Sequence, residues 1–279
     1  MSIDSLRKKY HQALCKTILK IDQRGIPSNA DKHSEISVTL GRDIINQIGK
    51  TNPIERLSGQ TSGKVFETIT KDFLKKSFTY LVHLRPGEWE FEIGKKIEGF
   101  EQYEHLAHLS KALEGNKELR AALGDYLINP DIVVGRRPVS DAKINLSSVV
   151  IPPKSNCAKL TPLREVNSQK MILHASISCK WTIRSDRSQN ARTEGLNLIR
   201  NRKGKTPHIV IVTAEPYPQR ISSLALGTGD IDCVYHFALP ELQKAAIKLK
   251  NQAVIDTVQL LVEGKRLRDI SDLPFDLAT

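Results

Sequence analysis

The chain has 279 residues, enough to bury a substantial core as one large domain or two small ones. A formal charge of +11 favours a polyanionic partner, nucleic acid before an anionic membrane surface, although a basic enzyme with solvated lysines would carry the same excess. No stretch approaches the roughly 20 apolar residues of a membrane span, the N-terminus lacks a signal peptide's apolar core, and the scattered cysteines (Cys15, Cys157, Cys179, Cys233) form no CxxC pair, so a zinc ribbon or disulfide framework is disfavoured and a cytoplasmic location is expected.

Residues 3–21 read as a basic amphipathic helix, followed by a turn at Gly25–Asp31 and a second helix over 35–49. The small residues of Ser58-Gly-Gln-Thr-Ser-Gly63 suit an N-cap before a helix over 64–82, whose buried stripe would be Phe66, Ile69 and Phe73, with Glu67 beside it. Pro86-Gly87 breaks the chain, and Trp89–Ile93 alternates as a strand does. Helices are expected over 101–114 and 116–125, then a strand over Tyr126–Val134 with Pro130 at an edge or bend. The Pro-, Ser- and Asn-rich region 138–168 reads as an irregular excursion.

Met171–Trp181 is a strand, with a helix over 186–200 behind it. His208–Thr213 and Ile231–Phe237 are short apolar runs of the buried-strand kind. Pro240 suits the first turn of a helix, and a last helix spans 252–263, stopped by Gly264. Strands alternating with helices predict an α/β fold, a central mixed sheet flanked by helices.

On the 171–181 strand, residues two apart share a face. His174, Ser176, Ser178 and Lys180 point one way; Ile177, Cys179 and Trp181 point the other, into the core. Lys180 is thereby presented at the sheet surface, where it could hold an attacking water and neutralise charge. Phosphodiester hydrolysis commonly also uses Mg²⁺, a hard ion that wants carboxylate and water oxygens. Asp131 can supply one carboxylate. Pro130-Asp131 followed by Ser178-x-Lys180 resembles the PD-(D/E)xK nuclease pattern, which on its own is short enough to arise by chance. The second acid of that pattern is here Ser178, so another carboxylate must substitute. Glu194, on the helix that follows, is the first choice, although on spacing alone an exposed helix glutamate is the commoner reading; Glu67 is the second, and Glu165, in irregular surroundings, the third.

Arg184-Ser-Asp-Arg187 opens the helix after this strand. Arginine can donate to guanine O6 and N7 and aspartate can accept from cytosine N4, so Arg184, Asp186 and Arg187 suit consecutive G·C pairs. Taken alone, Ser185 or Asp186 would equally serve as a helix cap between solvated arginines. Arg200–Lys205 carries four positive charges and reads either as a phosphate-contacting loop or as a solvated turn. Arg220 is an isolated arginine. His105-x-x-His108 lacks a third ligand and reads as ordinary helix, and Gly227-Thr-Gly229 as a turn.

Beyond these motifs, long runs carry a specific resemblance: Ser58–Gly63, Leu173–Arg187, Val212–Pro216, Ala225–Ala238 and Asp269–Pro274. From about Gly25 onward the chain resembles the NgoMIV family of type II restriction endonucleases, within the CCGG-recognising branch of the PD-(D/E)xK superfamily; the first twenty residues and 138–168 diverge. The resemblance implies a restriction-endonuclease-like fold in a single domain over 1–279, with a helical part over about 1–85 and a catalytic core over about 86–279. It implies Asp131, Lys180 and Glu194 as catalytic residues, with Asp131 and Glu194 as metal ligands. Ser178 would be the family's serine in place of an acid, and Glu67 a further active-site glutamate. It implies Arg184, Asp186 and Arg187 as readers of the inner CCGG, with Gln60 and Arg220 as the places to look for contacts to the outer pairs or the minor groove. It further implies Mg²⁺, a GCCGGC target in double-stranded DNA cut after the first G to leave 5′-CCGG overhangs, a homotetramer (dimer of dimers), and a cognate DNA methyltransferase that is no physical partner. Two other readings compete: a catalytically inactive DNA-binding protein, and a repair nuclease of the same superfamily acting on branched DNA.

Overall fold

The structure, a computed structural model, describes residues 2–49, 58–118, 128–183, 185–227 and 229–279; the side chains of 110 and 185–189 lie outside that description. Among the described residues, six strands form one mixed sheet in the order β1-β2-β3-β4-β5-β6: β1 (Trp89–Ile93), β2 (Ile132–Arg136), β3 (Ile172–Lys180), β4 (His208–Thr213), β5 (Cys233–His236) and β6 (Leu267–Asp269). β2 runs antiparallel to both of its neighbours, β1 and β3, and β3 through β6 run parallel. The mixed α/β architecture expected from the sequence is present.

The α-helices among the described residues are α1 (Ile3–Thr17), α2 (Glu35–Ile48), α3 (Gly59–Tyr80), α4 (Leu106–Glu114), α5 (Asp141–Ile144), α6 (Ser185–Asn201), α7 (Pro218–Ala225), α8 (Leu239–Leu249), α9 (Gln252–Glu263) and α10 (Leu273–Asp276). In α1, Ser2 accepts from the Ser5 amide at 3.2 Å, and Leu6, Tyr10 and Leu14 recur every four residues as the buried face. One apolar cluster runs from Leu6 through the sheet to Leu277; a second, on the opposite face, gathers Phe100, Tyr103, Val133, Leu173, Leu198 and Ile209. Both faces of the sheet centre are therefore covered, as a parallel α/β sheet requires.

Several boundaries differ from expectation. Helix α3 begins at Gly59, capped by Ser58, whose hydroxyl accepts from the Thr61 amide at 3.2 Å; packing of Phe66 and Phe73 carries two glycines into the helix against their propensity. The expected helix over 101–114 is a 3₁₀ turn at Glu101–Tyr103 followed by α4. Most of the expected helix over 116–125, and the start of the 126–134 strand, fall outside the described residues; β2 itself starts at Ile132, after Pro130, which has no N–H to give a ladder. Helix α7 opens on Pro218, two residues after Pro216, and β6 and α10 follow the helix expected to be last. Gly264 closes α9 with φ −70°, and the left-handed residue is Lys265.

The alternation in β3 also breaks. Val134 pairs with Ala175 but Gly135 pairs with Leu173, so His174 is the extra residue of a β-bulge. His174 and Ser176 are both buried, and the His174 ring lies 4.8 Å from that of Trp89. Of the four residues expected on a surface, only those at the C-terminal end of the strand reach one.

Candidate active site

That end of β3 is where the expected catalytic side chains meet. Ile132 pairs with Ile177 across the antiparallel β2–β3 ladder, so Asp131, just ahead of β2, falls beside Ser178. Asp131 Oδ2 accepts from the backbone N–H of Cys179 at 2.7 Å, from the Ser178 hydroxyl at 3.3 Å and from Lys180 Nζ at 3.4 Å. The Lys180 and Asp131 side chains keep 20% and 28% of their exposure, enough to meet a substrate arriving from solvent.

Two helices bring further carboxylates. Glu67 follows Phe66, whose ring packs edge-on against Trp181 at 5.3 Å, so the contact that docks α3 on the end of β3 also delivers Glu67. Burial, with Asp131 nearby, pushes the Glu67 carboxyl up to about 7, against the pull of Lys180. Glu194 stands on α6 and is likewise raised, by burial first and by Asp131, with Lys180 acting the other way. The next residue explains how α6 comes so near: a Cβ on Gly195 would meet the Asp230 carbonyl oxygen at 2.5 Å. Arg192 fastens the same helix to the end of α7, donating from Nη2 to Ser223 O at 2.8 Å and Leu226 O at 3.0 Å.

Asp131, Glu67, Glu194 and Lys180 thus form one electrostatically coupled group at one end of the sheet. Its oxygen donors suit Mg²⁺, and two carboxyls whose ionisation burial disfavours would be relieved by a cation between them. Among the described residues no three His, Cys, Asp or Glu side chains stand close enough to enclose a metal unaided. Mg²⁺ is commonly held by one or two carboxylates and completed by water and phosphate oxygens, so the donor set fits that ion. Glu165 is exposed in the 138–168 excursion, its amide bonded to Val139 O.

The reading residues are less fully described. Arg184 lies outside the described residues, and Asp186 and Arg187 sit in the first turn of α6 with their side chains undescribed. Gln60 is exposed in the first turn of α3. Arg220, on α7, is ion-paired with Asp31, and its Nη1 reaches Ile183 O at 3.4 Å. The basic loop Arg200–Lys205 stands at the opposite end of the sheet: β3 and β4 are parallel, and Ala175 pairs with His208 just after the loop. There Lys203 and Lys205 line a cavity of about 520 Å³ with Arg85 and Arg136.

One group near the site was missed by sequence reasoning. Glu215 is fully buried, with Oε2 accepting from the Ile183 amide at 2.9 Å and Oε1 from the Tyr217 amide at 3.1 Å; burial pushes its carboxyl up to about 7. The Val212–Pro216 run contained it, but nothing local marks a glutamate after a strand as an acceptor for a backbone 32 residues away.

The profile of the NgoMIV restriction enzyme family matches residues 10–279. The chain is similar to the type II restriction enzyme NgoMIV of Neisseria gonorrhoeae, 50% identical over 279 residues that cover 98% of this chain and 97% of the relative. Among solved structures it is similar to the restriction endonuclease PspGI in a substrate DNA complex, with a TM-score of 0.31 and 12% identity over 99% of this chain and 92% of the other. It is also similar to the type IIF restriction endonuclease Bse634I with cognate DNA, with a TM-score of 0.30 and 15% identity over 91% of each chain.

Proposed function

Because the chain belongs to the NgoMIV restriction enzyme family, we propose that it cuts double-stranded DNA at GCCGGC after the first G, leaving 5′-CCGG overhangs, with Mg²⁺ as its cofactor. That it is a type II restriction enzyme, a site-specific deoxyribonuclease, follows from the family; the target, the cut and the ion are the proposal. The target and the cut rest on the family; the observation that supports the ion and the catalytic site is the convergence on Asp131 Oδ2 of Ser178, the Cys179 amide and Lys180, beside two glutamates whose carboxyls burial raises.

In this reading Asp131 and Glu194 hold the ion, and Glu67 completes the acidic rim. Mg²⁺, when bound, supplies Lewis-acid stabilisation of the charge that gathers on the phosphate and the leaving 3′-oxygen. Lys180 orients the attacking water and offsets charge on the non-bridging oxygens. Ser178, which adds no charge, keeps Asp131 Oδ2 directed at this group. Arg184, Asp186 and Arg187 read the inner CCGG, and their place directly after the catalytic strand links reading to cutting. Gln60 and Arg220 are assigned to the outer pairs or the minor groove.

The acting unit is a single endonuclease domain over 1–279, a helical part over about 1–85 and a core over about 86–279, supported by the apolar cluster that runs unbroken from Leu6 to Leu277. We assign it a homotetrameric state and a cytoplasmic location, with a cognate DNA methyltransferase as functional counterpart only. The tetramer is supported by the excursion, where Leu146, Val149, Val150, Leu160 and Val166 are between 62% and 95% exposed, a concentration of apolar surface uncommon on a monomer. No helix among the described residues is long and apolar enough to cross a membrane.

The test is digestion of a plasmid bearing two GCCGGC sites, with and without Mg²⁺, beside a plasmid whose CCGG sites have other flanks. Mg²⁺-dependent cutting of the first alone is expected. Cutting of both would discard the outer-pair assignment, and cutting of neither would leave a binding protein without catalysis.

A further inference from the structure

The segment that leads from β3 toward the reading helix α6 is held at Lys180, Trp181 and Ile183 by groups distant in sequence. Lys180 O accepts from the Thr213 hydroxyl at 2.8 Å and the Ala214 amide at 3.1 Å. Trp181 Nε1 donates to Ser28 O at 3.3 Å, and Asn29 Nδ2 donates to Ala214 O at 2.7 Å. Ile183 is held from both sides: its N–H donates to Glu215 Oε2, and its C=O accepts from Arg220 Nη1. Arg220 Nη1 lies 3.9 Å from Glu215 Oε2, and Asp31 pairs with the other end of the guanidinium. Glu215, 0% exposed, is at the centre of this arrangement and out of reach of any DNA.

We propose that Glu215 is a positioning residue for sequence reading: its carboxylate fixes the backbone of Ile183, and with it the start of the reading helix, relative to the end of β4, which holds the carbonyl of the catalytic Lys180. The inference rests on the assignment of Arg184, Asp186 and Arg187 as base readers. The chemistry asks for a carboxylate. Two backbone N–H groups, of Ile183 and Tyr217, need two acceptor oxygens, and burial without partners would be costly to either. A glutamine of the same shape offers one acceptor oxygen and turns an NH₂ toward the other amide. It also withdraws the negative charge facing Arg220. The residue before Arg184 then loses its fixed place, and bidentate contacts to base edges depend on such placement.

The experiment compares wild type, Glu215→Gln and Asp269→Asn. Asp269 is a buried carboxylate on the far edge strand, held by Arg7 and the Leu239 amide, and serves as a control for general destabilisation. Single-turnover cleavage is measured on a GCCGGC duplex and on one with an inner pair exchanged, beside thermal melting. Glu215→Gln is expected to lower the ratio of the two rates at least about tenfold, while Asp269→Asn lowers the melting temperature and keeps the ratio. An unchanged ratio in a folded Glu215→Gln protein, or an equal fall in Asp269→Asn, would overturn the proposal. Wild type that cuts both duplexes equally fast would instead overturn the reader assignment, and the proposal with it. Should Glu215→Gln not fold, hydrogen exchange on the wild type decides: a protected Ile183 amide supports the clasp, and exchange as free as that of exposed turn amides refutes it.

Discussion

Asp131 is bound more closely to the backbone of Cys179, at 2.7 Å, than to the side chain of Lys180, at 3.4 Å. The strand itself, rather than the lysine, therefore orients the acid. Lys180→Ala should leave Asp131 in place and cost little stability, since a partly exposed pair at that distance contributes about 0–1 kcal/mol. Cleavage should fall about 10²–10⁴-fold or further, the range for losing a proton-transfer or charge-stabilising group. Gel-shift binding to GCCGGC should persist. Normal cutting by this variant would mean the site has been drawn around the wrong lysine.

Asp131→Asn separates the carboxylate's two tasks. Its amide oxygen can still accept from the Cys179 amide, so the β2–β3 junction should hold and the melting temperature should change little. The charge that faces Lys180 and the proposed ion is lost. Cleavage should be abolished at low millimolar Mg²⁺ with specific binding retained. A variant that cuts at near wild-type rate would remove Asp131 from the ligand set.

Much of this site was legible in the chain because its parts are local. Ser178 and Lys180 are two apart on a strand, and Glu194 follows on the next helix. The alternation misled at His174 because a bulge inserts a residue there, and because it assumed one face of β3 was wet when both are covered. Helix α7 was hidden because it opens on Pro218 just after Pro216, and β6 is too short for any periodicity. The Asp31–Arg220 pair and the Glu215 clasp join segments 189 and 32 residues apart, which no window along the sequence brings together.

The proton affinity of Glu67 gives a pH-dependent signature. A carboxyl raised in the folded state to about 7 binds its proton more tightly than in the unfolded chain. Its ionisation therefore subtracts from stability as pH climbs from the usual glutamate range toward 7, and the penalty is complete above that. Glu67→Gln escapes it. Without DNA or metal, the variant should melt higher than wild type at pH 8, by about 2–4 °C for each 1 kcal/mol relieved, with the advantage shrinking toward pH 5. Melting curves at the two pH values test this; an advantage that does not depend on pH would show that Glu67 ionises as an ordinary surface glutamate.

Gly195 makes the reach of Glu194 depend on backbone contact. Gly195→Ala places a methyl group 2.5 Å from the Asp230 carbonyl oxygen, a rigid neighbour that cannot turn aside, so α6 must shift outward. Overpacking of this kind costs about 1–3 kcal/mol, and the melting temperature should drop accordingly. Because Glu194 moves with the helix, cleavage should fall by a larger factor than stability explains, and higher Mg²⁺ should restore part of it if Glu194 is a ligand. A stability loss with full activity at low Mg²⁺ would detach Glu194 from the metal.

The exposed apolar residues of the 138–168 excursion predict the assembly. Leu160 is 95% exposed and Leu146 84%, and neither contributes to the apolar core of its own chain. If these side chains are buried between copies, replacing Leu146, Val149 and Leu160 by serine should cost the fold little and split the proposed tetramer into smaller species in sedimentation velocity. The same variant should then cut a plasmid with two GCCGGC sites more slowly wherever cutting requires two bound targets. Wild type that sediments as a dimer, or a triple variant that remains tetrameric, would place the interface elsewhere.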